Sequence, residues 1–405
     1  MSLNPETTAP KTLKPAIVLT GGGSGGHITP LLSLALALKG LNPAAKVIYI
    51  GLKTEKVKGL ESRYRIFDEV HYIRSGKFRR YHGQNILVRI TDIKTLALNI
   101  LDFFKVWAGI FRAIKILQLV KPDVVFSKGG FVAVPVGIAA KLLKIPIVTH
   151  DSDIIPGLAN RIIGRWAKVH ATGMPPENYN YPAGTMRYTG IPVDERLEPI
   201  TETLKNNYKK QIGISPDEVL LLVGGAGLGS RDVNSLVLKI ASQLLNKIKK
   251  LRIIHITGEA HKKAVSEAYG QLLSEDQIQN IEVLGFSDDF FKYTGAADLI
   301  ISRAGATIIA ELAIQRKAAV LIPAPFLTGG HQVKNAQLLK NIRAAEIVDN
   351  DVTPDTLLNT VSILLTDNQK RSMFENNIAS ISMPNAAKNL ADVLLQLSEN
   401  NKAQG

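Results

Sequence analysis

Two doubly wound α/β domains facing each other across a cleft are the fold this sequence predicts, on three observations. Short apolar runs bounded by glycine alternate with amphipathic stretches, the pattern of parallel strands joined by crossover helices. The pattern occurs twice, in halves of about equal size, without the short self-similar period of a solenoid. Between the halves lies Thr189-Gly-Ile-Pro-Val-Asp-Glu-Arg-Leu-Glu-Pro-Ile200, whose prolines and charges suit an interdomain linker.

The elements follow in order. Ala16–Thr20 reads as a strand that ends on a glycine run, Thr29–Leu38 as a helix, and Val47–Ile50, Val124–Ser127 and Ile147–Thr149 as further strands. In the second half Val219–Val223 opens a strand and Asp232–Ile248 forms a helix. Arg252–Ile256, Ile281–Leu284, Asp298–Ser302 and Ala319–Ile322 continue the sheet. The expected boundaries are a disordered tail over 1–14, a first domain over 15–193 and a second over 194–385. A final helix over 386–405 packs back on the first domain. The stretch most like a membrane span, Ile100–Val120, is interrupted by Asp102, Lys105, Arg112 and Lys115, so no transmembrane helix is expected.

Composition narrows the chemistry. In 405 residues, 45% hydrophobic and 21% charged, a sizeable core can be buried. Lys plus Arg number 49 against 35 for Asp plus Glu, a formal charge of +14 that favours an anionic partner: nucleic acid, an acidic membrane or a phosphorylated small molecule. The absence of cysteine excludes a disulfide framework, a thiolate nucleophile and Cys-based metal sites. The polar start of the chain lacks a basic-then-apolar signal pattern, which reads as cytoplasmic.

Gly21-Gly-Gly-Ser-Gly-Gly-His27 follows the first strand and leads into a helix, so its backbone can approach an anion while helix N-terminal N–H groups face it. The loop satisfies GxGxxG, but the second strand ends Tyr49-Ile50-Gly51, without the ribose-holding acid of a dinucleotide site. His27 is a candidate general base, because imidazole titrates near neutrality. A second loop, Gly224-Gly-Ala-Gly-Leu-Gly-Ser230, stands at the matching place in the second half, so a phosphate-bearing ligand can be gripped from both sides.

Five stretches then occur in order: the first glycine loop; Lys121-Pro-Asp-Val-Val-Phe-Ser-Lys-Gly-Gly-Phe-Val-Ala-Val-Pro135; His150-Asp-Ser-Asp-Ile-Ile-Pro-Gly-Leu-Ala-Asn160; Ile301-Ser-Arg-Ala-Gly-Ala-Thr307 leading to Glu311; and His331-Gln332 followed by Asn335. Together, over about Ala16 to Ala387, they resemble the MurG family of peptidoglycan glycosyltransferases. The resemblance implies a GT-B fold and transfer of N-acetylglucosamine from UDP-GlcNAc to the lipid-linked muramyl-pentapeptide (lipid I), giving lipid II. It implies displacement with inversion, no cofactor and no protein-bound metal. Transfer to diacylglycerol or another polyprenyl-linked acceptor is the neighbouring alternative. A nucleotide-binding oxidoreductase and a non-catalytic sugar-nucleotide or membrane-binding module are readings from other classes.

By the same resemblance, Glu311 holds the ribose hydroxyls, Phe286 and Ser287 lie beside the uracil, and His331, Gln332 and Asn335 line the donor-sugar pocket. Ser24, Gly25, Gly26, Ala226, Gly227, Arg303, Ala304, Gly305, Ala306 and Thr307 complete the donor site. Gly23, Phe131, Asp151 and Asp153 are assigned to the acceptor and His27 to catalysis. Three departures stand out. The family's Glu-Gln-Asn is Asp151-Ser152-Asp153, which places a charge near the acceptor. Ala226 removes a hydroxyl expected at the diphosphate, leaving Gly227, Gly229 or Ser230 to compensate, and Asp194 replaces a phosphate-directed cation, with Arg196 nearby. Asp151-Ser-Asp153 also spells a metal-binding DxD, a short match common by chance.

Arg74, Lys77, Arg79, Arg80 and Arg89 follow one another without an intervening acid, ahead of a stretch bearing Phe103, Phe104, Trp107 and Phe111. Cations beside exposed aromatics suit the anionic inner face of the cell membrane. Without an accompanying RNA-binding motif, nucleic acid is not an expected partner.

Overall fold

A computed structural model describes residues 14–22, 25–52, 63–77, 93–224, 229–326 and 328–404. Seven strands form the first sheet: β1 (Ala16–Thr20), β2 (Lys46–Leu52), β3 (Glu69–Ile73), β4 (Val124–Ser127), β5 (Ile147–Asp151), β6 (Val169–Thr172) and β7 (Met186–Tyr188). Six form the second: β8 (Val219–Val223), β9 (Leu251–Ile256), β10 (Ile281–Leu284), β11 (Leu299–Ser302), β12 (Ala319–Leu321) and β13 (Glu346–Ile347). The helices are α1 (Gly25–Leu41), α2 (Ile93–Val120), α3 (Ala133–Leu142), α4 (Leu158–Ile163), α5 (Glu202–Gln211), α6 (Arg231–Lys247) and α7 (Lys262–Leu272). They continue as α8 (Glu275–Ile278), α9 (Phe290–Ala296), α10 (Ala306–Gln315), α11 (His331–Asn341), α12 (Pro354–Thr366), α13 (Asn368–Ala379) and α14 (Ala386–Gln404).

The strand orders are β3-β2-β1-β4-β5-β6-β7 and β10-β9-β8-β11-β12-β13, and the paired strands run parallel. The winding direction therefore reverses between β1 and β4 in one sheet and between β8 and β11 in the other. At such a switch point the loops after two adjacent strands part, leaving a crevice at the strands' C-terminal ends. The central strands are buried on both faces, which is why they read as unbroken apolar runs: Leu220, Leu221, Leu222 and Val223 are all inaccessible to solvent.

β3, β6, β7 and β13 are absent from the sequence reading. β3 mixes Glu69 and His71 into a half-buried edge, while β7 and β13 span three and two residues, too short to show a period. α1 starts at Gly25 rather than Thr29, because its first turn is built from glycines whose poor intrinsic propensity hides it.

α14 crosses back onto the first domain. Leu390, Ala391 and Leu394 are fully buried against a cluster containing Ile17, Leu31 and Leu38. Its polar side chains add Asn389 donating to the Thr189 carbonyl at 3.4 Å and an ion pair between Lys402 and Asp123 at 3.0 Å. α2 buries Val106, Ile110, Ala113, Ile116 and Leu117 while Ile100, Phe103, Phe104, Trp107 and Phe111 stand in solvent on its other side. Among the described residues no helix is long and apolar enough to cross a membrane.

Candidate functional site

Each switch point holds one of the glycine loops. Gly21 and Gly22 leave β1, and Lys128, Gly129 and Gly130 leave β4 directly beside them. The two turns touch backbone to backbone: Gly130 has φ +80°, and a Cβ there would lie 2.1 Å from the Gly22 carbonyl oxygen. The Tyr49 hydroxyl donates to the Gly21 carbonyl at 3.1 Å and fixes the start of the loop from β2. α1 then begins at Gly25, so Gly25, Gly26 and His27 form its first turn, where unpaired N–H groups favour an anion. Gly23 and Ser24 lie outside the described residues, as do the side chain of His27 and Ala226 and Gly227 of the second loop.

A buried polar chain supports this crevice. Asn160 donates to Asp151 Oδ1 at 3.0 Å and to the His150 carbonyl at 2.8 Å, and the Tyr181 hydroxyl donates to Asp151 Oδ2 at 2.6 Å. Ser127 Oγ donates to Asn160 Oδ1 and accepts from the Gly129 N–H, which carries the connection to the glycine turn. Asp151 is 4% exposed and both its oxygens are spent inside the protein. In this structure it is an internal support of the loop. Burial pushes its carboxyl above the usual range, partly offset by Tyr181, Asn160 and Lys128. His150 beneath it donates from Nε2 to the Gly190 carbonyl at 2.8 Å, and burial holds its imidazole neutral, with a pKa down to about 3.

The sequence reading assigns no role to Lys128 or Tyr181, and no periodicity singles out either one. Lys128 is buried, donates to Ser152 Oγ at 2.7 Å, and has its pKa lowered to about 8 by desolvation against the attraction of Asp153 and Asp151. The Phe131 carbonyl accepts from Ser75 Oγ at 2.9 Å, and the half-buried ring lies at the rim of the same turn.

In the second crevice Arg303, Ala304 and Gly305 leave β11, and α10 begins at Ala306 with Gly305 as its N-cap and no side chain closing it. Thr307 is half-buried in that first turn. Gln332 accepts from the Ala324 N–H at 3.0 Å through Oε1, which turns its amide nitrogen toward Gly305. Glu311, half-buried one turn into α10, accepts no hydrogen bond among the described residues. Burial, and then the charge of Asp194, raise its pKa to about 8. Phe286 is 57% exposed, so it is no core residue, and Ser287 beside it accepts from the Asp289 N–H. His331 opens α11 after the left-handed Gly330.

Two arginines near the expected donor site are engaged within the protein. Arg303 is 6% exposed, and its guanidinium donates to Ser230 Oγ, Asp232 Oδ2, Asn350 Oδ1 and the Ile322 carbonyl. It braces the start of α6 against β12, and it occupies the Ser230 hydroxyl proposed to compensate for Ala226. Arg196 grips Asp194 through two nitrogens at 2.9 and 2.7 Å, reaches Asp289 at 3.0 Å and lies 4.3 Å above the Phe291 ring.

The two halves meet over the site. Asn335, fully buried on α11, donates to Asp153 Oδ1 at 2.8 Å and to the Ala304 carbonyl at 3.2 Å, and accepts from the Ile154 N–H at 3.3 Å. Its amide thus bridges to the opposite domain. Tyr179 pins the Asp153 carbonyl at 3.0 Å.

Comparisons with known proteins bear on the family and the fold. The model of the glycosyltransferase family 28 N-terminal domain matches residues 17–172, and that of its C-terminal domain matches 219–393. The UDP-N-acetylglucosamine–N-acetylmuramyl-(pentapeptide) pyrophosphoryl-undecaprenol N-acetylglucosamine transferase of Clostridium botulinum strain Hall is 35% identical over 93% of this chain and 98% of its own length. The enzyme of the same name from Acetivibrio thermocellus is 29% identical over 96% and 99%. Among solved structures, Acinetobacter baumannii MurG superposes with a TM-score of 0.69 at 25% identity, covering 95% of this chain and all of its own. A UDP-N-acetylglucosamine 2-epimerase superposes at 0.65 with 11% identity, a likeness of fold alone.

Proposed function

This chain belongs to the MurG family of GT-B glycosyltransferases within glycosyltransferase family 28, and from that premise we propose that it moves N-acetylglucosamine from UDP-GlcNAc onto a lipid-linked muramyl-pentapeptide. The observation that carries the donor half is Glu311: a carboxyl that accepts no hydrogen bond among the described residues, one turn into a helix whose open N-terminus supplies phosphate-binding N–H groups. In its ionised form this group accepts two hydrogen bonds at once, which matches a vicinal diol such as ribose, and the diol's donors favour that form. Gln332 presents its amide beside Gly305, where a sugar joined to the diphosphate would lie, and exposed Phe286 offers a face to the base.

The reaction breaks the bond between the anomeric carbon and the diphosphate, so charge grows on UDP as the acceptor hydroxyl attacks. Backbone N–H groups at the starts of α1 and α10 stabilise that charge without reorganising. The attacking hydroxyl gives its proton to a base on the first domain; His27 in the first turn of α1 is the group the sequence suggests for it. Purified protein is expected to release UDP from UDP-GlcNAc only when the lipid-linked acceptor is present, and to be stabilised thermally by UDP-GlcNAc. A shift with NADH and none with any UDP-sugar would overturn the assignment.

The acceptor's lipid anchors it in a bilayer, and the outer side of α2 is the surface that suits one. Phe104, Trp107 and Phe111 are 64%, 47% and 61% exposed, and Arg112 and Lys115 stand on the exposed side of the same helix. An amphipathic face of this kind partitions into an anionic interface. Arg74 and Lys77 precede it, whereas Arg79, Arg80 and Arg89 lie outside the described residues. Changing Phe104, Trp107 and Phe111 together to serine is expected to weaken sedimentation with anionic vesicles at least about 100-fold, since each buried aromatic contributes on the order of 1 kcal/mol or more. Unchanged sedimentation would move the membrane face elsewhere.

A further inference from the structure

We propose that Asp153 is the base that takes the proton of the attacking acceptor hydroxyl, an inference that rests on the transferase reading above. An ionised carboxylate at this position can accept that proton, which the amides of Asn160 and Asn335 beside the loop cannot.

The geometry brings this carboxylate to the place where both substrates meet. Asp153 follows β5 in the first domain, yet its Oδ1 accepts from Asn335 on α11 of the second, and the same amide donates to the Ala304 carbonyl next to the open start of α10. One side of the carboxylate is therefore fixed against the donor crevice. Its Oδ2 accepts no hydrogen bond among the described residues, and the side chain is half-buried rather than enclosed. Its backbone is held at both sides, by Tyr179 on the Asp153 carbonyl and by Asn335 on the Ile154 N–H. An oxygen so restrained meets the positioning demand on a general base, whose efficiency depends on standing within hydrogen-bond reach of the proton.

The surrounding charges suit an anion. The Lys128 ammonium, delivered from the end of β4 and anchored on Ser152 Oγ, attracts it; Asp151 on the same loop opposes it, but both of that residue's oxygens are taken up by Tyr181 and Asn160. The neutral Tyr179 hydroxyl and Asn335 amide complete the neighbours. In the step, the hydroxyl oxygen bonds to the anomeric carbon, the bond to the β-phosphate oxygen breaks with its electron pair on UDP, and the hydroxyl proton passes to Asp153 Oδ2. Solvent recovers the proton after UDP departs. Lys128 is then a positioning residue for the base.

The test is Asp153→Asn in the full chain, which keeps the oxygen that Asn335 binds and so preserves the contact between domains. Turnover with the lipid-linked acceptor is expected to fall about 100- to 10,000-fold, while the Kd for UDP-GlcNAc stays within about threefold of wild type, the split that marks loss of a group acting in the transition state. An acceptor analogue bearing a thiol in place of the attacking hydroxyl ionises without help, so with it the loss should shrink below about tenfold. A purely structural role would cost both acceptors equally, and that result overturns the inference. So does Asp153→Asn turnover within about threefold of wild type, particularly if His27→Ala abolishes it. Wild-type protein that binds UDP-GlcNAc but transfers to no lipid-linked acceptor would instead defeat the transferase reading, and the base assignment with it.

Discussion

Replacing Glu311 with alanine is expected to weaken UDP-GlcNAc binding about 10- to 100-fold, the cost of one or two hydrogen bonds to a charged group, with a smaller change in turnover at saturating donor. Calorimetric titration of UDP-GlcNAc and of UDP checks both affinities, and equal losses for the two would place the contact on the nucleotide rather than on the sugar. An unchanged Kd would end the ribose assignment. The same side chain carries a pH signature. Its carboxyl has a pKa near 8 in the folded protein against an ordinary value of 4.5, so between these limits the folded state holds a proton that the unfolded chain has released. Stability contributed by this group therefore declines as pH rises from 4.5 toward 8. Glu311→Gln abolishes that slope: the variant should melt with wild type near the lower limit and above it beyond the upper one, and parallel melting curves throughout would contradict the burial described.

Gly130→Ala is expected to cost at least about 3 kcal/mol of stability and to abolish transfer. A non-glycine residue at φ +80° costs on the order of 1–2 kcal/mol, and the new methyl would sit 2.1 Å from the Gly22 carbonyl, a distance at which one turn must move. Moving it pulls the first glycine loop away from Tyr49 and tilts the start of α1. Denaturant titration measures the first effect and UDP release the second. A variant of wild-type stability and activity would show that the two turns do not need to touch.

The sheet and most of the crevice were legible because the central strands are apolar on both faces and the loops at the switch points are marked by glycine. Those features are local, and they read the same in a sequence as in space. What was not legible depends on long-range pairing. Asp151, Arg303 and Asn335 occur in motif positions that suggest ligand contact, but each is satisfied by a partner far away in the chain: Asp151 by Tyr181, Arg303 by Asp232 and Asn350, Asn335 by Asp153. A buried charge must find such a partner, and no spacing in the sequence names which one. Lys128 escaped notice for the same reason, since its meaning comes from the acids that follow the neighbouring strand. The aromatics of α2 lie at helical spacing whether they face a core or a bilayer, and only their exposure distinguishes the two.

Because the polypeptide leaves the first domain after β7 and returns to it through α14, two separate stretches of backbone join the lobes. A double tether favours opening about one shared axis over sliding or twisting about others. It also means that the leading half, produced without the terminal helix, would bare a greasy stripe along α1 and clump rather than stay dispersed.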